Sequence, residues 1–300
     1  MTNDRATFDF SAWSAEHLQR VETALDQRIP LNAPADLGAA MRYAVLGGGK
    51  RLRPLLALAA CESVGGNAEA AMRAACALEL IHAYSLVHDD MPCMDNDVLR
   101  RGKATVHVKY GQATALLAGD ALQALAFELL TPLGGSVPAE MQAKLCALLA
   151  RAAGEAGMAG GQAFDLASVG KALDEPNLKK MHELKTGALL QASVMMGAAC
   201  GIAKIEQMTA LSRYGRAIGL AFQVVDDILD VTADSATLGK TAGKDAEAGK
   251  PTYVSILGMA KSREYAEQLY AQAMQALVSS ALAHTDALCA LADNVVRRTH

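Results

Sequence analysis

Two short stretches of the sequence gather carboxylates that could hold a metal ion. The first, "VHDDMPCMDND" at residues 87–97, contains Asp89, Asp90, Asp95 and Asp97. The second, "FQVVDDILD" at residues 222–230, contains three further aspartates. Two like charges about 4 Å apart repel by roughly 4 kcal/mol at an effective dielectric constant near 20. Aspartates crowded in this way must take up protons, bind cations or stay in water.

The second cluster is predicted to lie on one face of a helix. At about 100° per residue its polar side chains form a stripe roughly 100° wide, and apolar residues fill the remaining arc. The stripe consists of Gln223, Asp226, Asp227 and Asp230. A solvated helix face normally mixes charges of both signs, whereas this stripe contains no cation. We therefore expect it to need a cationic partner.

The first cluster keeps helical spacing only at its start. His82 and Asp89 are seven residues apart and share a helix face, with Ser85 between them. Pro92 cannot continue the helix, so the chain must turn there. We expect this turn to bring Asp95 back toward the preceding aspartates.

Either cluster alone could be a solvated acidic face, because runs of charge are usually exposed. Two clusters 137 residues apart, with the apolar flanks "SLVH" and "QVV", fit an internal cavity better. Carboxylates without thiolates favour Mg²⁺, which commonly also binds phosphate oxygens of a substrate. An EF-hand calcium loop beginning at Asp95 is excluded, because Arg100 stands where that loop requires glycine.

A phosphate-bearing substrate needs cations nearby, and the sequence places them beside glycine-rich breaks and the acidic stripes. The candidates are Lys50, Arg51, Arg53, Arg100, Arg101, Lys103, Lys185 with Thr186, Lys240 and Lys250. Glycine runs beside cations can bind anions through backbone amides. "GGGKRLRP" is not a nucleotide-binding P-loop, because Ala44 replaces its first glycine and Arg51 follows the lysine. For any one of these residues, a solvated surface charge is the alternative.

Composition predicts an all-helical protein. The 300 residues include 60 Ala but only 5 Phe and 1 Trp, so helix formers outnumber strand formers. The helical pattern breaks at residues 47–50, 64–67, 131–138, 174–177 and 234–251. The first four breaks are short enough to join antiparallel helices, whereas the long fifth break is typical of a functional loop. No linker divides the chain, so we expect one domain over residues 1–300.

Charge and cysteine content argue against several classes of protein. A net charge of −4 is unsuited to binding driven mainly by nucleic acid or an anionic membrane surface. The six cysteines are widely spaced without a CxxC pair, which favours buried reduced thiols. The polar N-terminal stretch does not resemble a signal peptide, so we expect a cytoplasmic protein. The uncharged segment 186–203 contains Gln191 and Ser193, which favours a buried helix over a membrane span.

Taken together, these motifs resemble those of the trans-prenyltransferases, or polyprenyl synthases. "DDMPCMD" is similar to the first aspartate-rich motif of that family, DDxxxxD, and "DDILD" to the second, DDxxD. "GGGKRLRP", "IHAYSLVHDD", "LRRGK", "KTGALL" and "LGKTAGKDAEAGKPTY" extend the match from about residue 40 to the C-terminal end. Within the family, the chain most resembles the bacterial farnesyl diphosphate synthases. The resemblance implies an isoprenoid-synthase-type helical bundle around a central cavity, usually as a homodimer.

The resemblance also implies individual roles. Mg²⁺ would be held by Asp89, Asp90 and Asp95 on one wall of the cavity, and by Asp226 and Asp230 on the other. The allylic diphosphate would be bound by Arg100, Lys185, Thr186, Gln223 and Lys240. Isopentenyl diphosphate would be bound by Gly49, Lys50, Arg53, His82 and Arg101. Less specific matches are Asp227, Lys250, Gln162 and Asp165. Val98 and Ala104 depart from the family pattern, in which an acidic residue and a proline are expected.

The implied reaction is the head-to-tail (1′-4) condensation of isopentenyl diphosphate with dimethylallyl and then geranyl diphosphate, giving (2E,6E)-farnesyl diphosphate. Mg²⁺ and the cations would neutralise the departing diphosphate so that an allylic cation forms. The double bond of isopentenyl diphosphate attacks that cation, and the released diphosphate takes the lost proton. The catalytic residues implied are Asp89, Asp90, Asp95, Asp226 and Lys185. No Ser/His/Asp array is evident, so no covalent enzyme intermediate is expected.

Product length should depend on Tyr84, five residues before Asp89 and about 7.5 Å along a helix. In the family that the chain resembles, an aromatic residue there, in a first motif with two extra residues, implies a cavity floor that stops growth at fifteen carbons. Tyr84 and Ser85 are therefore the predicted chain-length residues. A geranyl or geranylgeranyl diphosphate synthase is the nearest alternative. A terpene cyclase would need no second diphosphate pocket such as Lys50, Arg53 and His82 provide. A non-catalytic partner subunit should have lost aspartates, and none is missing.

Overall fold

Helices form nearly all of the regular structure, as the composition predicts. The computed structural model describes residues 8–171, 173–232 and 251–298. The helices are α1 (Phe10–Arg28), α2 (Leu37–Val45), α3 (Leu52–Ser63), α4 (Ala68–Asp89), α5 (Val106–Tyr110), α6 (Gln112–Leu130), α7 (Ala139–Ala153), α8 (Met158–Ser168), α9 (Glu175–His182), α10 (Ala188–Ala199), α11 (Ile205–Thr232), α12 (Tyr253–Leu257), α13 (Met259–Ser280) and α14 (Asp286–Arg297). A π-helix (Glu183–Gly187) joins α9 to α10. The all-α prediction is confirmed.

A small β-hairpin lies between α4 and α5. Strands β1 (Leu99–Arg100) and β2 (Lys103–Ala104) pair antiparallel, with Arg100 opposite Lys103. Arg101 and Gly102 form the turn, with φ of 51° and 74°. This tight turn presents the side chain of Arg101 to the loop between α2 and α3.

The predicted breaks correspond mostly to helix ends. The breaks at 47–50, 64–67 and 131–138 separate α2 from α3, α3 from α4 and α6 from α7. The fourth differs, because Asp174 caps α9 by accepting from Asn177 N at 3.0 Å, and Pro176 lies in the first turn. The "DEPN" stretch therefore begins a helix and does not interrupt one. Residues 234–250 of the fifth break lie outside the described ranges.

Two clusters of buried apolar side chains form the core, and α3 and α10 contribute to both. The first cluster also draws on α1, α2, α4, α6 and α7. The second draws on α9, α11, α13 and α14. Small residues let these two helices approach closely: a Cβ on Gly197 of α10 would stand 2.0 Å from the Ala57 carbonyl oxygen of α3. The uncharged segment 186–203 thus supplies a core helix, as its composition predicts.

Two helices differ in how far they bury their apolar surface. By length and composition alone, α4 and α6 could each cross a membrane; 72% and 44% of their apolar windows are buried inside the protein. Helix α4 is therefore a core helix, whereas α6 leaves apolar residues such as Leu116 and Leu117 exposed. Among the cysteines, Cys61, Cys76 and Cys200 are buried and free as predicted, but Cys93 is exposed in the loop after α4.

Candidate active site

A cavity of about 370 Å³ lies between α4, α8 and the π-helix. The predicted site residues that line it are Arg53, His82, Tyr84, Ser85, Asp89, Gln162, Lys185 and Thr186. Apolar side chains, among them Leu86, Met94 and Met158, complete the wall. The cavity thus joins the first aspartate motif to cations from two other parts of the chain.

The first aspartate motif ends α4 and then turns back on itself. Asp95 N donates to the Asp89 carbonyl oxygen at 2.9 Å, and Asp97 N donates to the Asp90 carbonyl oxygen at 3.1 Å. These bonds close the turn that contains Pro92. The predicted return of Asp95 toward Asp89 is therefore observed.

The carboxyl group of Asp89 lies in an unfavourable place for a lone negative charge. Burial raises the pKa of Asp89 to about 6, Lys185 opposes the rise, and Asp95 adds to it. A bound cation would stabilise the ionised forms of Asp89 and Asp95. Within the described ranges, no three His, Cys, Asp or Glu side chains converge as a ready-made metal centre. A site with only the Asp89 and Asp95 carboxylates still fits Mg²⁺, because Mg²⁺ takes one or two carboxylates and completes its shell with water and substrate phosphate oxygens.

Asp90 differs from Asp89 because it is held by Arg100. Arg100 Nε donates to both Asp90 carboxylate oxygens at 2.9 and 3.0 Å, and Nη2 donates to Oδ1 at 2.6 Å. Asp97 lies 3.7 Å from the same guanidinium. Asp90 is only 3% exposed, so this pair anchors the hairpin to α4. The roles predicted for Asp90 in metal binding and Arg100 in diphosphate binding stay predictions.

The second aspartate motif lies on α11, where its predicted single stripe divides. Asp226 is partly exposed and lies 3.6 Å from Arg298 Nη2. Asp227 is buried and accepts from Gln223 Nε2 at 2.8 Å and from Tyr253 N at 2.7 Å. Asp230 is also buried. Asp227 therefore ties α11 to the start of α12, and its predicted substrate contact stays a prediction.

Lys185 and Thr186 lie in the π-helix, a local widening that occurs often at functional sites. Lys185 Nζ donates to Asp165 Oδ2 of α8 at 2.6 Å, and Thr186 Oγ1 donates to Gln223 Oε1 of α11 at 3.0 Å. These bonds fix both side chains at the cavity wall. The Gln162 amide is buried there with no hydrogen-bond partner within the described part of the chain. An unsatisfied amide at a cavity wall can serve a ligand.

The predicted isopentenyl diphosphate residues meet where the α2–α3 loop touches the hairpin turn. Arg101 Nη1 donates to the Gly48 carbonyl oxygen, and a Cβ on Gly49 would stand 2.8 Å from that same nitrogen. Gly49, with φ of 157°, thus permits the guanidinium to approach the backbone. Lys50 is exposed beside it.

Burial lowers the pKa of two residues in this pocket. Burial lowers the pKa of Arg53 to about 10, and Glu79 opposes the fall. Burial and the Arg53 charge lower the pKa of His82 well below its ordinary value. The His82 imidazole is therefore neutral at physiological pH, while the guanidinium stays charged. The pocket combines a cation with a neutral hydrogen-bond donor, and both can bind the oxygens of a diphosphate.

Sequence reasoning assigned no role to Arg298 and no specific one to Arg51. Arg298 lies over the Phe222 ring at 4.0 Å, donates to the Phe222 carbonyl oxygen at 2.8 Å and faces Asp226. The charge of Arg298 also contributes to a lowered pKa at Lys50, after burial. The only sequence feature that indicates a role for Arg298 is the basic pair in "VVRRTH", and no sequence pattern connects this stretch to α11. Lys240 and Lys250, both predicted substrate ligands, lie outside the described ranges.

Comparisons with known proteins agree with this geometry. The family described as "Polyprenyl synthetase" matches residues 34–285. Geranylgeranyl pyrophosphate synthase 11, chloroplastic, of Arabidopsis thaliana is 47% identical over 302 residues, covering 99% of this chain and 85% of that protein. An FPP/GFPP synthase from Zymomonas mobilis, solved without ligands, has a TM-score of 0.84 at 40% identity, covering 96% of this chain and 98% of that one. A geranyltransferase from Helicobacter pylori, solved with magnesium and isoprenyl diphosphate, has a TM-score of 0.86 at 33% identity, covering 97% of this chain and 99% of that one.

These matches confirm the resemblance at the level of the family and of its helical-bundle fold. They do not single out the bacterial farnesyl diphosphate synthases, because the plant relative is named for a longer product. The chain belongs to the polyprenyl synthetase family, the prenyltransferases that extend isoprenoid diphosphates head to tail.

Proposed function

We propose that the protein condenses isopentenyl diphosphate with dimethylallyl and then geranyl diphosphate, in the presence of Mg²⁺. One observation carries the proposal: a single cavity is lined by Asp89 with Lys185 and, separately, by Arg53 with His82. The first pair suits a diphosphate that leaves with metal ions. The second suits a diphosphate that is retained and is bound by protein side chains without a metal ion.

Different residues would bind the metal ions, the allylic diphosphate and isopentenyl diphosphate. Asp89, Asp90 and Asp95 would hold Mg²⁺ from one wall, and Asp226 and Asp230 from the other. When bound, Mg²⁺ would neutralise charge on the leaving diphosphate. Lys185, Thr186, Gln223 and Arg100 would bind the allylic diphosphate and steady its departure. Arg53, His82, Lys50 and Arg101 would hold isopentenyl diphosphate with its double bond toward the allylic carbon.

The apolar part of the cavity protects the reaction from water. Leu86, Met94 and Met158 present no hydroxyl or carboxylate oxygen that could hold water beside an allylic cation. Excluding water prevents the cation from being quenched before the double bond attacks. The proton lost afterwards passes to the diphosphate just released, which stays near Lys185.

We propose farnesyl diphosphate, with fifteen carbons, as the main product. Tyr84 supports this length, because it lines the cavity one and a half helical turns before Asp89. Geranylgeranyl diphosphate, with twenty carbons, is the second candidate, and the name of the plant relative favours it. The name of the Zymomonas mobilis structure includes the shorter product.

We also propose a homodimer, as the family resemblance implies. The support is the exposed apolar face of α6, where Leu116 and Leu117 are 46% and 56% exposed. A second copy of the chain would cover this face. Sedimentation of the purified protein should give twice the 31.4 kDa chain mass, and replacement of Leu117 by Glu should shift it toward the monomer.

The proposed reaction is tested by asking when diphosphate is released. With geranyl diphosphate and Mg²⁺, release should require isopentenyl diphosphate and should stop with EDTA. A terpene cyclase would release diphosphate from the allylic substrate alone. A non-catalytic subunit would release none under either condition, and either result would overturn the proposal.

A further inference from the structure

We propose that Arg51 is a positioning residue for the isopentenyl diphosphate pocket, acting through Glu79 and the loop at residues 46–51. The inference rests on the proposed function, because it assigns Arg51 to the pocket that the retained diphosphate would occupy. Arg51 itself would not touch the substrate. It would fix the backbone that carries Lys50 and Arg53 and hold Glu79 away from Arg53.

The backbone at Arg51 adopts a conformation that its residue type disfavours. Arg51 has φ of 47° and ψ of 34°, in the left-handed region, and it is the N-cap of α3. Non-glycine residues in this region persist when the surrounding structure fixes them. The position sets the direction in which α3 leaves the loop, and therefore where Arg53 lies at the start of that helix.

The Arg51 side chain provides the fixing interactions. Its Nε and Nη2 donate to the two carboxylate oxygens of Glu22 on α1 at 2.6 and 3.3 Å. Its Nη1 donates to Glu79 Oε1 on α4 at 2.6 Å, and Nη2 donates to the Val45 carbonyl oxygen at 2.7 Å. The residue is 4% exposed. Acceptors from three helices thus take up the N–H donors of the guanidinium. Arg51 therefore holds these helices together and is not a substrate ligand.

Glu79 connects the Arg51 side chain to the substrate pocket. It is 4% exposed and lies on α4, three residues before His82. Its negative charge raises the pKa of both Arg53 and Arg101, against the lowering by burial. Its hydrogen bond, however, goes to Arg51. Arg53 Nε is buried without a hydrogen-bond partner within the described ranges. Arg51 therefore lets Glu79 balance the pocket electrostatically while the Arg53 guanidinium stays available to a diphosphate.

The test compares Arg51→Met with a matched control. The control is Arg42→Met, because Arg42 likewise joins helices of the same region through Asp26 and the Ile29 carbonyl oxygen. Arg51→Met should raise KM for isopentenyl diphosphate by about tenfold or more and leave KM for geranyl diphosphate within about twofold. Arg42→Met should lower thermal stability without changing either KM. Arg51→Lys should not restore KM, because an ammonium cannot reproduce the planar fork.

A double variant separates positioning from stability. In Arg51→Met/Glu79→Gln the buried carboxylate that lost its partner is gone, so thermal stability should recover relative to Arg51→Met. KM for isopentenyl diphosphate should fall only part of the way to the wild-type value, because Glu79 no longer competes for Arg53 while the loop that carries Lys50 stays unfixed. If KM returned to the wild-type value along with stability, Arg51 would be purely structural and the inference would be wrong. It would also be wrong if Arg51→Met raised both KM values equally.

A milder variant covers the case in which Arg51→Met does not fold. Glu22→Gln removes charge from the outer partner, whose side chain is 40% exposed, and keeps the bond to Glu79. It should raise KM for isopentenyl diphosphate by a few-fold with kcat nearly unchanged. An unchanged KM in this folded variant would overturn the inference. Absence of isopentenyl-dependent turnover in the wild-type protein would instead overturn the proposed function.

Discussion

The ring of Tyr84 stands edge-on against the imidazole of His88, with 5.7 Å between the ring centroids. His88 Nε2 in turn lies 3.1 Å from the Leu116 carbonyl oxygen on α6. A Cβ on Gly119 would stand 2.0 Å from that nitrogen, so the imidazole occupies a notch in α6. The Tyr84 ring is therefore held against His88, which also lines the cavity and is itself held against α6.

Removing the Tyr84 ring should lengthen the product. Tyr84→Ala deepens the cavity along α4, so a chain longer than fifteen carbons should appear by mass spectrometry. Tyr110→Ala is a suitable control, because Tyr110 packs against Tyr43 outside this cavity. A well-folded Tyr84→Ala protein that still makes only the wild-type product would reject Tyr84 as the floor.

Filling the notch should act in the opposite direction. Gly119→Ala would push the His88 imidazole toward Tyr84 and the cavity, since the added methyl cannot share its space. The product mixture should shift toward shorter chains, with a destabilisation of about 1–3 kcal/mol. Adding His88→Ala should relieve the clash and reverse the shift. Identical products from wild type and Gly119→Ala would contradict a role for His88 in setting product length.

Substitutions of the two adjacent aspartates in the second motif should impair the protein in different ways. Asp226→Ala should reduce turnover by roughly a hundredfold or more with little change in stability, because the loss is electrostatic and local to the site. Asp227→Ala leaves the buried Tyr253 N–H and the Gln223 amide without their acceptor, at about 1–3 kcal/mol each. Urea unfolding and turnover of both variants measure this contrast. Activity retained in Asp226→Ala would remove the basis for its metal role.

Local chemistry made part of this site predictable from the sequence. The helical period identified α4 and α11, and the properties of proline alone predicted the turn that returns Asp95 to Asp89. Contacts between distant elements were not predictable. Asp227 pairs with Tyr253, 26 residues later, and Asp90 pairs with Arg100 through a hairpin that composition did not indicate. The helical wheel therefore grouped Asp226 with Asp227, although the two carboxylates meet different partners.

The pair formed by buried His17 and exposed Glu62 should make stability depend on pH. His17 Nε2 lies 2.7 Å from Glu62 Oε1. Burial lowers the pKa of His17, but the hydrogen bonds to Glu62 and to the Trp13 carbonyl outweigh it and raise the pKa above 6.5. The folded state thus binds this proton more tightly than the unfolded state. The stabilisation is complete below pH 6.5 and is lost as the pH rises through the raised pKa.

Urea unfolding of wild type and His17→Gln at pH 6 and pH 8.5 measures this effect. The wild-type advantage in free energy of unfolding should be larger at the lower pH. An equal difference at both values would show that the His17 proton plays no part.

Product mass tests directly whether this chain adds isopentenyl units head to tail. The purified protein is incubated with dimethylallyl diphosphate, isopentenyl diphosphate and Mg²⁺, and the products and the released diphosphate are quantified together. The proposed reaction should give a fifteen-carbon diphosphate, with two diphosphates released for each molecule formed, and should not proceed with EDTA. A failure to form any chain longer than the starter, with Mg²⁺ present, would contradict it.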